Sequence, residues 1–341
     1  MRHRLEITVI HFRDACAHIP KWLRRMLLAL VGLGLLGLVI ARSGSALAEV
    51  QHISAPSGWL LALAIVAETA SLVAYVLMVR QILRHDGLAV RTRPLLRMTL
   101  GGIAMSSSLP AGVAASTGYW LRELQREGAD RAHAAVVLVR TTVAGVVSLA
   151  ALLIVGVAVA GASGPLAHFY TAILVTGGLA IVAIALLWSP LIRFLYRRFP
   201  SLPSPLGGHE PTGAEGLMAV GTLALVNWIL DCLALALALL ALHVTVPLDG
   251  LLLTYCLAQV VATIPLLPGG AGTVEASLAV GFAAFGHTAG PLVAGVLLYR
   301  VISQWGLVPL GWGAVAAAHH HPVSSTVNGN VRRASPNPNR S

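Results

Sequence analysis

Five ionisable side chains, Glu68, Arg140, Asp231, Glu275 and Arg300, stand inside long apolar stretches of the chain. A charge at the centre of a bilayer costs about 3 kcal/mol on insertion scales, so a residue of this kind is kept for a reason. Glu68 lies ten residues into a span that begins near residue 58, and Asp231 lies fifteen into one that begins near 216. Arg140 sits about 12 Å along its helix from Ala132 at about 1.5 Å per residue, and Arg300 lies at a comparable depth from the opposite face. A planar guanidinium offers two parallel hydrogen bonds to phosphate, which suits Arg140 and Arg300 to an anionic headgroup. Intramembrane arginines also lock helices together by pairing with carboxylates, and both readings stay open. Glu275 follows Pro268-Gly269-Gly270-Ala271-Gly272-Thr273-Val274, where a helix would restart. There the helix dipole favours a carboxylate, so a capping role competes with substrate contact.

Other chemistry finds little support. There is no His-Glu-x-x-His, no Ser/His/Asp arrangement and no Asp-rich metal motif. The glycines of residues 265–272 could offer N–H groups to an anion, but no Gly-Lys-Ser/Thr follows, so no nucleotide signature exists and the loop reads as a hairpin tip. Cys16, Cys232 and Cys256 lack paired or metal-ligand spacing. His319, His320 and His321 fall just past the last apolar segment and read as interface or tail. No cofactor or metal is expected. The sequence leans away from an enzyme, although that question stays open.

The elements that hold these residues must be membrane helices. Of 341 residues 57% are hydrophobic and 11% charged, and the mean hydropathy is +0.80, whereas a soluble domain carries about 25% charged residues. The net charge of +10 is spread over short loops between apolar segments, which is the pattern of positive-inside bias rather than of a nucleic-acid surface. The expected fold is an all-α polytopic membrane protein with about six full spans and two re-entrant Pro-Gly hairpins, eight apolar segments in all. The spans lie near residues 26–41, 58–79, 132–160, 165–188, 216–242 and 291–318; the broken segments lie at 98–120 and 251–286. The stretch at 26–41 resembles a signal sequence, but the long basic leader and the apolar segments that follow favour an uncleaved span.

Basic residues flank both sides of the segment at 98–120, and a full crossing would place Arg122, Arg126 and Arg131 outside, so charge bias favours a hairpin that enters and leaves on one face over a kinked span. The mixed-charge stretch at 122–131 reads as an interfacial helix. The expected organisation is a cytoplasmic basic N-terminus at 1–25, a transmembrane domain at 26–318 and a disordered cytoplasmic tail at 319–341. A Pro-, Ser- and Gly-rich linker at 200–213 separates halves at about 58–188 and 216–318. Both termini come out cytoplasmic, and the expected location is the plasma membrane.

Leu109-Pro110-Ala111-Gly112 in the first half is matched by Leu267-Pro268-Gly269-Gly270 in the second. Upstream of each break lies a span with a carboxylate, Glu68 or Asp231. Downstream, after 30 or 32 residues, lies an arginine, Arg140 or Arg300. The charge topology gives the two units opposite orientations, which makes them an inverted repeat of the kind secondary transporters use, with broken helices meeting near the midplane. The hairpin tips are then Pro110 and Gly112 in one unit and Pro265, Pro268, Gly269, Gly270 and Gly272 in the other.

Around these breaks the sequence resembles the family named for the transmembrane region of lysylphosphatidylglycerol synthetase, a flippase-like domain. The resemblance covers about residues 20–318. It is strongest at Ile264-Pro265-Leu266-Leu267-Pro268-Gly269-Gly270-Ala271-Gly272-Thr273-Val274-Glu275-Ala276 and at Leu298-Tyr299-Arg300. Many members show Pro-Gly-Arg-x-Gly-Glu followed by Arg in the first half. Here Pro110 precedes Ala111-Gly112-Val113-Ala114-Ala115, so that Arg and Glu are missing, and Arg122 and Arg140 stand as candidates for the later basic positions. The variant is similar to an actinobacterial-type stand-alone member. The resemblance implies translocation or binding of a polar lipid, anionic or lipid-linked, or modification of membrane lipids. A chain ending at Ser341 leaves no room for the aminoacyltransferase domain, so lysyl transfer itself is not expected. The alternatives are a membrane-embedded enzyme and a partner subunit in lipid or cell-envelope glycan modification. The implied partners are membrane lipids and a separate synthase or glycosyltransferase, with no nucleic acid; the oligomeric state is not legible.

Overall fold

The structure, a computed structural model, describes residues 55–109, 112–161, 214–246, 248–262, 272–285 and 289–320. The expected spans at 26–41 and 165–188, the linker, both terminal regions beyond residue 320 and before 55, and Pro110, Pro265, Pro268, Gly269 and Gly270 lie outside the described residues. Among those residues every regular element is a helix: α1 (Gly58–His85), α2 (Thr92–Ser108), α3 (Gly112–Arg126), α4 (Arg131–Ala160), α5 (Ala214–Ala241), α6 (Leu248–Ala262), α7 (Thr273–Ala284), α8 (Ala289–Arg300), a π-turn (Val301–Trp305) and α9 (Leu307–His320). The protein is thus an all-helical polytopic membrane protein. Helices α1, α4, α5 and the continuous α8–α9 segment are long and apolar enough to cross a membrane, and only about a third of each is buried inside the protein. Outward-facing Ile65, Val66, Val73, Val146, Val155 and Ile229 are left for hydrocarbon to cover.

The breaks have a local cause. Pro at 110 and 268 removes a backbone donor and disfavours a helical conformation at the residue before it. The arms on either side are short: α2 and α3 run about 25 and 22 Å, and α6 and α7 about 22 and 18 Å. Each pair folds back on itself. Gly101 lies against Tyr119, Gly102 against Ser116 and Trp120, and Gly112 against the carbonyls of Met105 and Ser106. Position 110 is midway between Gly101 and Tyr119. In the second pair Gly250 meets Phe285 and Gly281 meets Thr254, and both contacts centre between positions 267 and 268. Each pair is therefore a helical hairpin, and its arm contacts are centred on the matched Leu-Pro sites of the sequence.

The stretch at 122–131 is not a separate interfacial helix, as the charge pattern suggests. Helix α3 carries on through Arg126, and the chain turns at Gly128, whose φ of +99° is open to glycine. Asp130 then caps α4 by accepting from the N–H groups of Ala132 at 2.9 Å and His133 at 2.8 Å. A glycine turn followed by an Asp cap ends one helix and starts the next, which overrides the mixed charge.

Helices α1 and α5 run antiparallel along their whole length. The Ser57 N–H donates to the Ala241 carbonyl at 2.7 Å, and the Ser71 hydroxyl bonds the Asn227 carbonyl at 3.0 Å and its side-chain oxygen at 3.2 Å. The remaining contacts are reciprocal between the halves. Helix α6 of the second hairpin packs on α4, with Gly156 against the backbone of Leu253, while α2 of the first hairpin packs on α9, with Gly311 against Leu100 and Ala104. Each hairpin thus leans on the closing helix of the opposite half.

Candidate functional site

Where α1 and α5 cross, the expected carboxylates meet. Glu68 and Asp231 stand together on the wall of one cavity, close enough for each to act on the other's charge. In sequence they are 163 residues apart. The antiparallel register brings them together, because the contacts at Ser57–Ala241 and Ser71–Asn227 bracket this point.

The two sides of this pair differ. Toward the first hairpin lies a cavity of about 260 Å³ whose wall is made by Glu68, Ser71 and Tyr75 of α1, Thr99 and Ser106 of α2, Ser116 and Trp120 of α3, and Asn227 and Asp231 of α5. Where the hairpin arms face α1, these hydroxyls alternate with Gly102, Ile103 and Trp120. One carboxyl oxygen of Glu68, Oε2, is buried without a hydrogen-bond partner, and a group of this kind is costly unless something meets it. Toward the second hairpin, side chains of the described residues close on Asp231. Asp231 accepts from the Tyr255 hydroxyl at 2.7 Å, the Gln259 amide at 3.1 Å and the Tyr299 hydroxyl at 2.7 Å. Tyr255 is fixed by an edge-on contact with Trp228, whose ring N–H donates to the Gly145 carbonyl at 3.0 Å and so ties α5 to α4.

The arginines are placed unequally. Arg300, 5% exposed, donates from Nε to Glu275 at 2.8 Å and lies close enough to Asp231 to act on its charge. The other oxygen of Glu275 accepts from the Gly272 N–H at 2.6 Å, and Gly272 has a φ of +81° that suits glycine. Glu275 therefore caps α7 and pairs with Arg300 at once. Arg140, in contrast, pairs with Asp86, which follows α1, and Asp86 lies 3.5 Å from His133. It is not on the cavity wall. The sequence order makes Arg140 and Arg300 equivalent, but the structure brings Glu68, Asp231, Arg300 and Glu275 into one polar chain and leaves Arg140 in a separate cluster.

Tyr255, Gln259, Tyr299, Ser71, Asn227 and Asp86 belong to these networks although the sequence singled out none of them. Tyr299 could have been found, since it sits in the Leu298-Tyr299-Arg300 motif; hydroxyls and amides scattered through apolar helices carry no comparable signal. Directly after Arg300 the helix widens into the π-turn, where the Gly306 N–H reaches the Val301 carbonyl at 2.7 Å. Such bulges are frequent at functional positions. From here Gln304 bonds Ser107, and the Trp312 ring N–H donates to the Ser108 hydroxyl at 3.3 Å, which fastens the end of α2 to the last helix. Among the described residues no three His, Cys, Asp or Glu side chains are grouped to hold a metal ion.

Comparison with known proteins agrees with this architecture. Over 120 residues the chain is 36% identical to a UPF0104 membrane protein of Methanothermobacter thermautotrophicus, a match covering 34% of this chain and 36% of that protein. The chain thus spans about a third of the length of that relative. Residues 26–311, which include both hairpins and the polar chain between them, match the family described as the lysylphosphatidylglycerol synthase TM region, and the protein belongs to that family.

Proposed function

We propose that the protein binds the polar headgroup of a membrane lipid in the cavity beside Glu68 and Asp231 and moves it across the bilayer. The observation that carries this reading is a partly open cavity of about 260 Å³ between largely apolar helices, with hydroxyl, amide and carboxyl groups on its wall. Its size falls just below the range of about 300–1,000 Å³ typical of small-molecule sites, so it suits a headgroup and not a whole lipid. Both candidate arginines are held in ion pairs, while the wall offers serine and threonine hydroxyls and an asparagine amide. A hydroxyl-rich, lipid-linked headgroup fits this wall better than a bare anion. In this reading the halves at about 58–188 and 216–318 form an inverted repeat, consistent with antiparallel α1 and α5, and the hairpins are re-entrant, consistent with arms shorter than the hydrocarbon core. The cavity side and the opposite side of the carboxyl pair then represent the open and closed sides of one state in an alternating cycle. Positive-inside bias puts both termini in the cytoplasm of a cell whose plasma membrane holds the protein.

The test is reconstitution into phosphatidylcholine vesicles carrying either a headgroup-labelled glycolipid or headgroup-labelled phosphatidylglycerol, with an external quencher reporting inward and outward movement. The wild-type protein is expected to speed movement of the glycolipid. Ser116→Phe, which fills the cavity, and Arg300→Ala, which disturbs the network behind it, should abolish the gain. Equal rates in protein-free and wild-type vesicles for both lipids would refute translocation.

A further inference from the structure

We propose that Glu68 and Asp231 form a single proton-binding site at the crossing of α1 and α5, and that loading and unloading of this site drives headgroup movement through the adjoining cavity. The coupling rests on the translocation reading above; the proton site itself does not.

The argument is geometric. Two carboxylates sharing one wall in an apolar interior repel each other, so one of them keeps a proton and can then donate to the other. The partners on each side indicate which. Asp231 receives three donors, from Tyr255, Gln259 and Tyr299, distributed over both of its oxygens. That is the environment of an acceptor. On Glu68, Oε2 is buried without a hydrogen-bond partner, and the residue lines the cavity. The proton therefore belongs on Glu68, from which an O–H can donate to Asp231.

Among the described residues, the titratable and charged groups facing the pair are Tyr75 of α1, Cys232 beside Asp231 on α5, Tyr255 of α6, and Tyr299 and Arg300 of α8. The first hairpin contributes hydroxyls and Trp120 but no charge to this wall. Arg300 is the one cation in that set, and it is shared with Glu275. Breaking the Glu68 O–H bond sends the proton to water in the cavity and leaves two facing carboxylates. Their repulsion acts directly on the α1–α5 contact, which is one of the contacts between the two halves. A site that changes the force between the halves while opening onto the headgroup cavity is placed to couple one to the other.

Infrared spectroscopy of the reconstituted protein, in H₂O and D₂O, reads the proton without any lipid substrate. At neutral pH the wild type is expected to show a carboxylic-acid carbonyl stretch that shifts in D₂O and titrates away in alkali. Glu68→Gln should lose this band. Asp231→Asn should retain it at a different frequency, because Glu68 then faces an amide, and Glu215→Gln, at an exposed position in the first turn of α5, should keep it unchanged. A wild-type spectrum without the band, or a band unaltered by both Glu68→Gln and Asp231→Asn, overturns the proton site. In the vesicle assay an imposed pH gradient should change the wild-type rate several-fold and leave any residual rate of Glu68→Gln unaffected. Lipid movement that ignores the gradient, or follows Na⁺ at fixed pH, overturns the coupling. Absence of lipid movement in every sample would fail the translocation reading, and with it the coupling, while the infrared result still decides the site.

Discussion

Removing the charge of Glu275 should destabilise the protein through Arg300. The Arg300 side chain is 7% exposed and the Glu275 side chain 13%, so neither can recover much hydration when its partner is lost. Breaking a buried pair by deleting one member costs about 3–5 kcal/mol. Glu275→Gln keeps an amide oxygen able to accept the Gly272 N–H, so it isolates the ion pair, at an expected cost of about 3 kcal/mol by that scale. Glu275→Ala also removes the cap and should cost about 1 kcal/mol more. Arg300→Met should be the most harmful single change, because it takes the compensating charge from Asp231 as well as from Glu275. The double variant Glu275→Gln/Arg300→Met should then lie close to Arg300→Met alone, which gives a coupling energy of about 2–3 kcal/mol. Equilibrium unfolding in mixed micelles, followed by tryptophan fluorescence, measures all four. Additive single-variant costs would refute the pairing, as would a Glu275→Gln loss below about 0.5 kcal/mol, the spread expected of an inert site.

Two further outcomes test the packing that positions the site. A Cβ at Gly156 would come within 2.9 Å of the Leu253 backbone nitrogen, whereas one at Gly145 on the same helix meets nothing within 4 Å. Gly156→Ala should therefore cost about 1–3 kcal/mol by pushing α6 off α4, and Gly145→Ala should be neutral or gain about 0.5–1 kcal/mol of helix stability; the same unfolding assay compares them. Tyr299→Phe deletes one of the two phenol donors to Asp231 and should cost about 1.5–3 kcal/mol, the range for a hydrogen bond to a charged group, with a smaller loss if the acceptor is satisfied by other groups when the hydroxyl is gone.

The membrane character, the positions of the long helices, the two breaks and the order of carboxylate, break and arginine were all legible in the chain. They depend on local properties. A run of about 20 apolar residues spans hydrocarbon wherever it occurs, and Pro interrupts a helix through its own ring and missing N–H. Even the hairpin register, centred on the matched Leu-Pro sites, follows from symmetry about a local break. The capping role of Glu275 was readable for the same reason, since a cap acts across three residues.

Partner choice was not local. Glu68 meets Asp231, and Ser71 meets Asn227 across 156 residues, only because α1 and α5 pack antiparallel at one offset. A shift of one turn, about 5.4 Å, would separate both pairs without changing the composition of either helix. Arg140 and Arg300 occupy matching places in the repeat, yet one pairs with Asp86 after α1 and the other with Glu275 on α7. Hydrophobic length and charge order determined where the chain crosses and breaks. Helix rotation and offset, set by side-chain packing between distant segments, decided which of its buried charges share a site.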